Sequence, residues 1–332
     1  MRVMHIVPYR LQDVIDKGEV VDRYFNPGNV ASEITFVSWR EIPRDLSALQ
    51  RMCGNAKVNV LGQQNWDAAG AAFVALPGIG RRWLCDMKFE PESYDLIRAN
   101  TRSDGWIAVG QKTPSLISVH SDRQRALEEV PWYARPVFWI EAHRQERICK
   151  LATKTIVVSQ GLCHIAPHAE WIPNVVAQPS EQQETVNRVL CVSREMSGKG
   201  FEPMRAACVR AGVEFHAVGE QFQESNDRIM ELMATSRVVA LRNHYPGVPK
   251  TVQEALLSKV PVVMNRQAAI YGPELKASSI FFCEDTVEGY ASAIQTAWGT
   301  TPVEGDPTWG RKMWDPEATE ARWAQAYREA AS

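Results

Sequence analysis

Short apolar runs rich in β-branched residues recur along this chain, and their spacing limits the possible folds more than any other feature. Five of them lie in the first half between longer amphipathic or charged stretches: VMHIV at 3–7, EITFVSW at 33–39, KVNVL at 57–61, LISVH at 116–120 and KTIVVS at 154–159. Such runs are typical of parallel strands buried on both faces and connected by helices. The pattern therefore predicts an α/β domain.

A second series follows the polar stretch 178–187: RVLCVS at 188–193, EFHAVG at 214–219, RVVAL at 237–241, VPVVM at 260–264 and SIFFC at 279–283. The 332 residues suffice for two domains of roughly 100–200 residues each. We therefore expect two Rossmann-like, doubly wound parallel-sheet domains, at 1–180 and 186–314. Residues 315–332 begin at an Asp-Pro pair and predict a final helix that packs back on the N-terminal domain.

Composition and charge exclude several other classes of protein. The net charge of −2 gives no broad electrostatic reason to expect nucleic acid or an anionic membrane as partner. The seven cysteines are scattered without metal-ligand spacing, so we expect buried thiols in a reducing compartment and no metal site. No apolar stretch approaches the ~18 residues of a membrane span, and the first apolar run is too short for a signal peptide. These features indicate a cytoplasmic protein without a transmembrane segment.

The turn after the first apolar run argues against a nicotinamide or flavin cofactor. It reads PYRLQ at 8–12 and lacks the Gly-x-Gly-x-x-Gly that lets a backbone approach a pyrophosphate. In open α/β sheets, ligands bind beyond the carboxyl ends of the strands. The residues that follow each run are therefore the candidates for function.

Two such segments carry candidate chemistry. In VSREMSGKGF at 192–201, Arg194 and Lys199 lie between a strand and a helix start, where two cations suit a diphosphate, although two solvated charges in a loop give the same pattern. In NHYPGVPKTVQEALLSKVPVVMN at 243–265, a helix that opens around Lys250 and Thr251 offers backbone amides to phosphate. Glu254, about one turn farther, can accept hydrogen bonds from ribose hydroxyls, but an isolated glutamate is more often a solvated carboxylate.

These two segments, in this order, resemble those of bacterial glycosyltransferase family 4, a group of retaining enzymes with the GT-B fold, and the likeness covers nearly the whole chain. The resemblance implies two domains with a cleft between them and a nucleotide-diphosphate sugar as co-substrate, without a cofactor or a metal. It implies that Arg194 and Lys199 bind the donor diphosphate and that Glu254 binds the donor ribose. The remaining donor-binding candidates lie just before Glu254: Gly247, Val248, Lys250 and Thr251.

One position departs from the family pattern. The family has two glutamates separated by seven residues, and the first contacts the transferred sugar near the reacting carbon. The first position is Pro246 in this chain. Because proline has no side-chain hydrogen-bonding group, either His244 or a backbone group makes this contact, or the sugar is held differently.

The N-terminal half extends the resemblance. SYDLIRANTRSDGWIAVGQKTPSLISVHSD at 93–122 is similar to the family's acceptor-side core, in which a strand ends in a histidine near the sugar. This makes His120 a catalytic candidate together with Arg194 and Lys199. Without the resemblance, a histidine that ends a buried strand is more often a core residue. The acceptor-side candidates after the first strand are Arg10 and Gly18, where the family has a glycine pair.

The resemblance implies transfer of a sugar, with retention and without a metal, to a hydroxyl acceptor on a saccharide, a lipid-linked molecule or a small molecule. One alternative is transfer to hydroxymethylated bases of phage DNA, for which the N-terminal domain offers scattered arginines: Arg98, Arg102, Arg123, Arg125, Arg135 and Arg144. Another is a non-catalytic protein that binds nucleotide sugars, suggested by Pro246. A phosphorylase or a sugar epimerase on the same architecture is a third.

Overall fold

The computed structural model describes most of the chain in two compact units. The described residues are 1–7, 11–16, 20–38, 43–62, 90–127, 132–133, 135–177, 184–193, 201–219, 224–244, 247–272, 274–275, 279–300 and 314–332. Unit 1 comprises Met1–Asp16, Val20–Pro173 and Glu320–Ser332, and unit 2 comprises Asn174–Thr319. The chain thus leaves unit 1 after Pro173 and returns to it at Glu320.

Unit 1 contains a parallel sheet. Its strands are β1 (Arg2–Val7), β2 (Glu33–Ser38), β3 (Lys57–Gly62), β4 (Leu96–Asn100), β5 (Ser115–Val119), β6 (Lys154–Val157) and β7 (Glu170–Trp171). Within the described residues, these seven strands lie in the order β3-β2-β1-β4-β5-β6-β7, and every neighbouring pair is parallel. Its helices are α1 (Leu11–Asp16), α2 (Leu46–Cys53), α3 (Ser103–Ala108), α4 (Arg123–Ala126) and α5 (Arg135–Leu151).

Unit 2 repeats this plan with a smaller sheet. Its strands are β8 (Val186–Val192), β9 (Glu214–Val218), β10 (Ser236–Leu241), β11 (Val262–Asn265) and β12 (Ile280–Cys283). Among the described residues these five strands lie in the order β12-β11-β10-β8-β9, again all parallel. Its helices are α6 (Glu202–Ala211), α7 (Asn226–Thr235), α8 (Lys250–Leu257), α9 (Gln267–Tyr271) and α10 (Val287–Gly299). The predicted architecture of two parallel-sheet α/β domains is confirmed.

The sheet of unit 2 is covered by helices on both faces. Because successive side chains of a strand point to opposite faces, Leu190 packs with α7 and α8, while its neighbour Val189 packs with α6 and α10. The two cores have the same kind of apolar lining, and both are closed to solvent. This double coverage explains why the strands of this unit are recognisable as apolar runs in the sequence.

A last helix, α11 (Pro316–Ala331), begins at the end of unit 2 and continues into unit 1. In unit 1 the indole Nε1 of Trp323 donates to the carbonyl oxygen of Pro173 at 2.7 Å. The Tyr327 hydroxyl donates to the carbonyl oxygen of Phe25 at 3.2 Å. Both aromatic side chains are buried, so the helix adds core as well as hydrogen bonds to unit 1.

The strand β4 was not predicted as a strand of its own, because Arg98 interrupts its apolar run. In the structure this arginine is buried, with its guanidinium over the rings of Trp323 and Tyr327, 4.8 and 5.4 Å from their centroids. It also donates a hydrogen bond to the Tyr327 hydroxyl. The two-residue β7 is too short to leave a periodic signal and was missed as well. No helix among the described residues is long and apolar enough to cross a bilayer.

His5, on β1, is a buried histidine in this aromatic layer. It is 2% exposed and lies between the rings of Phe25 and Phe36, whose centroids are each 5.3 Å away. Burial, reinforced by the charge of Arg98, holds the pKa of His5 well below its ordinary value near 6.5. His5 is therefore neutral in the folded protein, while in the unfolded chain it takes up a proton below about pH 6.5.

We expect this difference in protonation to weaken unit 1 in acid. The unfolded state binds more protons than the folded state below about pH 6.5, so stability falls there by at most about 1.4 kcal/mol per pH unit from this group. Hydrogen exchange of β1 peptides at pH 7.5 and pH 5.5 measures the change. A His5→Leu variant should lose part of it, whereas His143→Leu, at an exposed histidine of α5, should not. Equal acid sensitivity in all three proteins would contradict the assignment.

Candidate functional site

The sheet of unit 2 has one point, between β8 and β10, at which the connections from the two neighbouring strands run in opposite directions along the sheet. From β8 the chain goes to β9 on one side, and β10 lies on the other. At such a switch point, the loops beyond the carboxyl ends diverge and leave a crevice. The segments that border it are the turn after β8 and the loop from β10 to α8.

The turn after β8 starts from a close approach of two backbones. A Cβ atom on Gly219, at the end of β9, would lie 1.8 Å from the carbonyl oxygen of Ser193, so only glycine fits there. The Ser193 amide donates to the carbonyl oxygen of Val218 at 2.9 Å. Arg194 and Lys199 follow Ser193 but lie outside the described residues, as do Arg10, Gly18 and Pro246.

The loop after β10 is fixed by a reciprocal pair of hydrogen bonds between two buried asparagines. The backbone amide of Asn243 donates to Oδ1 of Asn265 at 2.7 Å. In return, Nδ2 of Asn265 donates to the backbone carbonyl oxygen of Asn243 at 3.0 Å. The two side chains are 3% and 0% exposed. Because Asn265 ends β11, the neighbouring strand fixes the backbone at the point where the β10 loop begins.

The loop then turns into α8 through a glycine. Gly247 has a φ of +105°, in a region that side chains other than glycine rarely adopt, and its carbonyl oxygen accepts from Nδ2 of Asn243 at 3.4 Å. Val248 points into the apolar core, so only its backbone can face a ligand. The helix starts at Lys250 after Pro249, whose side chain has no acceptor and makes no capping hydrogen bond. This is the arrangement at which a helix N-terminus can receive an anion.

Glu254 lies in the second turn of α8 and is 6% exposed. A buried carboxylate is uncommon, because removal of the charge from water is costly unless partners compensate for it. The solvated helix-face carboxylate considered from the sequence is therefore wrong for this residue. The structure places His244, Gly247, Lys250, Thr251 and Glu254 on one continuous segment at the carboxyl end of β10.

A cluster of charged side chains adjoins the same segment. The guanidinium of Arg242 binds both carboxylate oxygens of Asp285, with Nε 2.9 Å from Oδ1 and Nη2 2.8 Å from Oδ2. Nε2 of His244 lies 2.9 Å from Oδ2 of the same carboxylate, and the Tyr290 hydroxyl donates to Oδ1 at 3.4 Å. The hydrogen bond from Arg242 is the main cause that lowers the pKa of Asp285. Asp285 is thus ionised and accepts from three side chains.

In unit 1, His120 follows β5 and is partly exposed. Its Nε2 lies 3.1 Å from Oγ of Ser118, and that hydroxyl donates to Oδ1 of Asn100 at 2.9 Å. Since Asn100 ends β4, these groups form a hydrogen-bonded row across the carboxyl ends of two neighbouring strands. His120 therefore lies at the edge of the sheet, where ligands of α/β sheets bind.

The sequence alone did not identify several of the residues that shape these sites. Asn100 and Asn265 are the last residues of their strands, a position that was available as a signal. Arg242 follows a strand in the same way. Asp285 lies two residues before the helix α10, and Thr286 between them caps that helix with its side chain, by accepting from the Gly289 amide.

No protein-family model matches the chain, and no curated protein matches it in sequence. Among solved structures, it is similar to a sucrose-phosphate synthase from Thermosynechococcus elongatus, with 14% identity and a TM-score of 0.72 over 100% of both chains. It is also similar to HepE of Anabaena in complex with UDP and glucose, with 14% identity and a TM-score of 0.65 over 98% of both chains. A protein named as a UDP-N-acetylglucosamine 2-epimerase from Listeria monocytogenes has 12% identity and a TM-score of 0.58, over 98% of this chain and 95% of that one.

Likenesses at such low identity, extended over whole chains, establish the fold. With two parallel α/β sheets and these neighbours, the chain has the GT-B fold. The predicted fold class is therefore confirmed. The roles of the individual site residues stay predictions.

The asparagine pair gives a direct test of what fixes the β10 loop. We expect Asn265→Leu to destabilise unit 2 by about 2–6 kcal/mol, because it leaves a buried backbone amide and a buried carbonyl of Asn243 without partners, at about 1–3 kcal/mol each. Asn265→Asp keeps the acceptor for the backbone amide but places a buried carboxylate oxygen against the Asn243 carbonyl oxygen, so it should also destabilise unit 2. Urea denaturation measures both variants. Equal stability of the wild type and Asn265→Leu would show that this pair does not fix the loop.

Proposed function

We propose that the chain is a retaining, metal-independent glycosyltransferase that moves a sugar from a nucleotide-diphosphate sugar to a hydroxyl acceptor. The observation that carries the proposal is the buried carboxylate of Glu254, which lies on a helix whose N-terminus follows Pro249 and borders the switch point of unit 2. The backbone amides at a helix start suit a phosphate. A carboxylate one turn farther along the helix suits the hydroxyls of a ribose.

The donor is assigned from these groups and from the fold. The amides of Lys250 and Thr251 would bind the diphosphate together with the side chains of Arg194 and Lys199. Glu254 would accept hydrogen bonds from the ribose, and the positive φ of Gly247 would let the loop backbone approach the donor closely. A neighbour of the same fold, HepE, was solved with UDP and glucose. UDP-sugars are therefore the first donors to try.

The reaction follows from these contacts. The bond between the anomeric carbon and the diphosphate oxygen breaks, the acceptor oxygen bonds to that carbon on the same face, and the hydroxyl proton passes to the departing phosphate. The side chains of Arg194 and Lys199 would stabilise the negative charge that develops on the departing diphosphate. A metal ion performs this task in other transferases. His120 would position the acceptor or bond a sugar hydroxyl.

The alternatives have less support. Of the arginines that the DNA hypothesis needs, Arg98 and Arg123 are 8% and 5% exposed, and Arg123 pairs with Glu141 at 3.4 Å. They are therefore poorly placed to neutralise phosphates of a duplex. The likeness to an epimerase shows that the fold alone does not decide the reaction. A non-catalytic protein would bind the donor without turning it over.

The proposed donor can be tested by the binding of UDP. UDP should raise the melting temperature of the wild type, because a ligand that binds only the folded state stabilises it. We expect Glu254→Gln to weaken UDP binding about 10- to 100-fold, as a hydrogen bond to a charged group contributes about 1.5–3 kcal/mol. Isothermal titration calorimetry measures the change.

The matched control for this titration is Glu288→Gln. Glu288 lies in the same unit, is exposed and pairs with Arg210 at 2.6 Å. It should leave UDP affinity unchanged. If the wild type binds neither UDP nor another nucleoside diphosphate, the donor assignment is wrong; if both glutamine variants bind like the wild type, Glu254 is not the ribose ligand.

The proposed reaction can be tested by the anomeric configuration of its product. With UDP-glucose as donor and concentrated glycerol as surrogate acceptor, we expect an α-glucoside, identified by the coupling constant of its anomeric proton in NMR spectra. The rate should not change in EDTA and should fall strongly in Lys199→Ala. A β-glucoside would disprove retention, and loss of activity in EDTA would disprove metal independence. Donor binding without any turnover would favour the non-catalytic alternative, and transfer only to hydroxymethylated duplex DNA would favour the DNA-modifying one.

A further inference from the structure

The side chains of Arg242, His244 and Asp285 form a connected cluster beyond the carboxyl ends of β10 and β12. Each of them is 26% exposed, so the cluster is partly shielded but still reaches solvent. The cluster lies next to the donor segment, because His244 and Gly247 belong to the same loop. The carboxylate of this cluster has more hydrogen-bond partners than it would have in a simple exposed ion pair.

The carboxylate of Asp285 is held in one orientation. Arg242 binds it in a bidentate manner at 2.9 and 2.8 Å, a geometry that fixes the carboxylate plane. The Tyr290 hydroxyl approaches Oδ1 at 3.4 Å from α10. The oxygen that faces His244 is therefore set by groups from β10 and α10, and the imidazole does not determine it.

This fixed carboxylate determines which ring nitrogen of His244 carries a proton. Asp285 is ionised and has no proton to donate, so at 2.9 Å the Nε2 of His244 must be the donor. In the neutral imidazole, Nδ1 is then the acceptor. No other residue in the described part of the chain forms a hydrogen bond with that Nδ1.

We propose that Asp285 and Arg242 are positioning residues that hold His244 in the Nε2–H tautomer, so that its Nδ1 accepts a hydrogen bond from a hydroxyl of the donor sugar. The inference rests on the proposed function for its ligand and on the geometry above for its mechanism. Two residues after His244 stands Pro246, which offers no side-chain acceptor. A histidine with a fixed acceptor nitrogen supplies one at the same loop.

A purely structural role of this cluster would not require His244. The bidentate pair of Arg242 and Asp285 alone would tie the β10 loop to the start of α10, and the third member would add little to stability, because a partly exposed ion pair contributes about 0–1 kcal/mol. The imidazole changes what the cluster can do. It converts a closed ion pair into a group with one directed acceptor.

The first arm of the test measures the tautomer and needs no ligand. In long-range ¹H–¹⁵N spectra of histidine-labelled protein near pH 8, the His244 signals, assigned with His244→Gln, should show the Nε2–H form in the wild type. Asp285→Asn should give a mixture of tautomers, and Arg242→Gln a partial change. His164, whose Nε2 lies 2.9 Å from Oδ2 of Asp122 in unit 1, is an internal reference that should not change. An unchanged His244 tautomer in Asp285→Asn would overturn the positioning role.

The second arm compares UDP with UDP-glucose by calorimetry. We expect His244→Gln and Asp285→Asn each to weaken UDP-glucose binding about tenfold and to change UDP binding by less than about twofold, since one hydrogen bond contributes about 1 kcal/mol or somewhat more. The double variant should be no worse than the single variants, because the two residues act through one hydrogen bond. Equal losses for both ligands would indicate a structural role only and overturn the sugar contact.

The two arms separate failure of this inference from failure of the proposed function. If the wild type binds neither UDP nor UDP-glucose, the proposed donor is wrong and the sugar contact is wrong with it, while the tautomer spectra still decide whether Asp285 positions His244. If the wild type binds both UDP and UDP-glucose and Asp285→Asn leaves the tautomer of His244 unchanged, the proposed function stands and this inference is overturned.

Discussion

The structure of unit 2 depends on one constraint: strands that are covered by helices on both faces have room for polar side chains only at their ends. Leu190 and Val189 face different cores, and the residues of both cores are buried. Polar groups that the sequence places on these strands must therefore lie at the strand termini or cost several kcal/mol to bury unpaired. This explains why Arg242, Asn265 and Asp285 all lie at or just after the carboxyl end of a strand. The same constraint brings groups from separate parts of the chain to a single edge of the sheet.

Most of the fold was predictable because both-face burial leaves a plain signal in the sequence. A strand with two apolar neighbourhoods is a continuous apolar run, and ten such runs correspond to strands of the two sheets. Of the two strands that were missed, β4 is the more instructive. Its central Arg98 looks like a surface residue, yet its guanidinium is buried against aromatic rings of α11, which is more than 200 residues away in the chain. No local pattern can predict a burial that depends on a partner supplied by the last helix.

The candidate site was predictable in part, and the division has a physical reason. Gly247, Lys250, Thr251 and Glu254 lie on one segment, and their order along it already indicated a helix start followed by a carboxylate. The groups that fix this segment come from elsewhere: Asn265 is 22 residues from its partner Asn243, and Asp285 is 41 residues from His244. Parallel pairing, which requires long connections, separates in sequence the residues that meet at the carboxyl edge. Their types gave no indication, because asparagine and aspartate before a helix are also ordinary capping residues.

The cluster around His244 also bears on how the proposed reaction would be distributed over the protein. A glutamate at position 246 would bring a negative charge close to the reacting carbon, whereas Pro246 brings none, and the charges of Arg242 and Asp285 cancel within their own pair. A neutral imidazole nitrogen can orient a sugar hydroxyl, but it adds no field that favours an oxocarbenium-like centre. Under the proposed function, stabilisation of the transition state therefore falls mainly on the departing diphosphate, and so on the cations and helix amides that contact it. Orientation of the sugar and stabilisation of charge, which one carboxylate would combine, are then carried out by different groups on different segments of the same sheet edge.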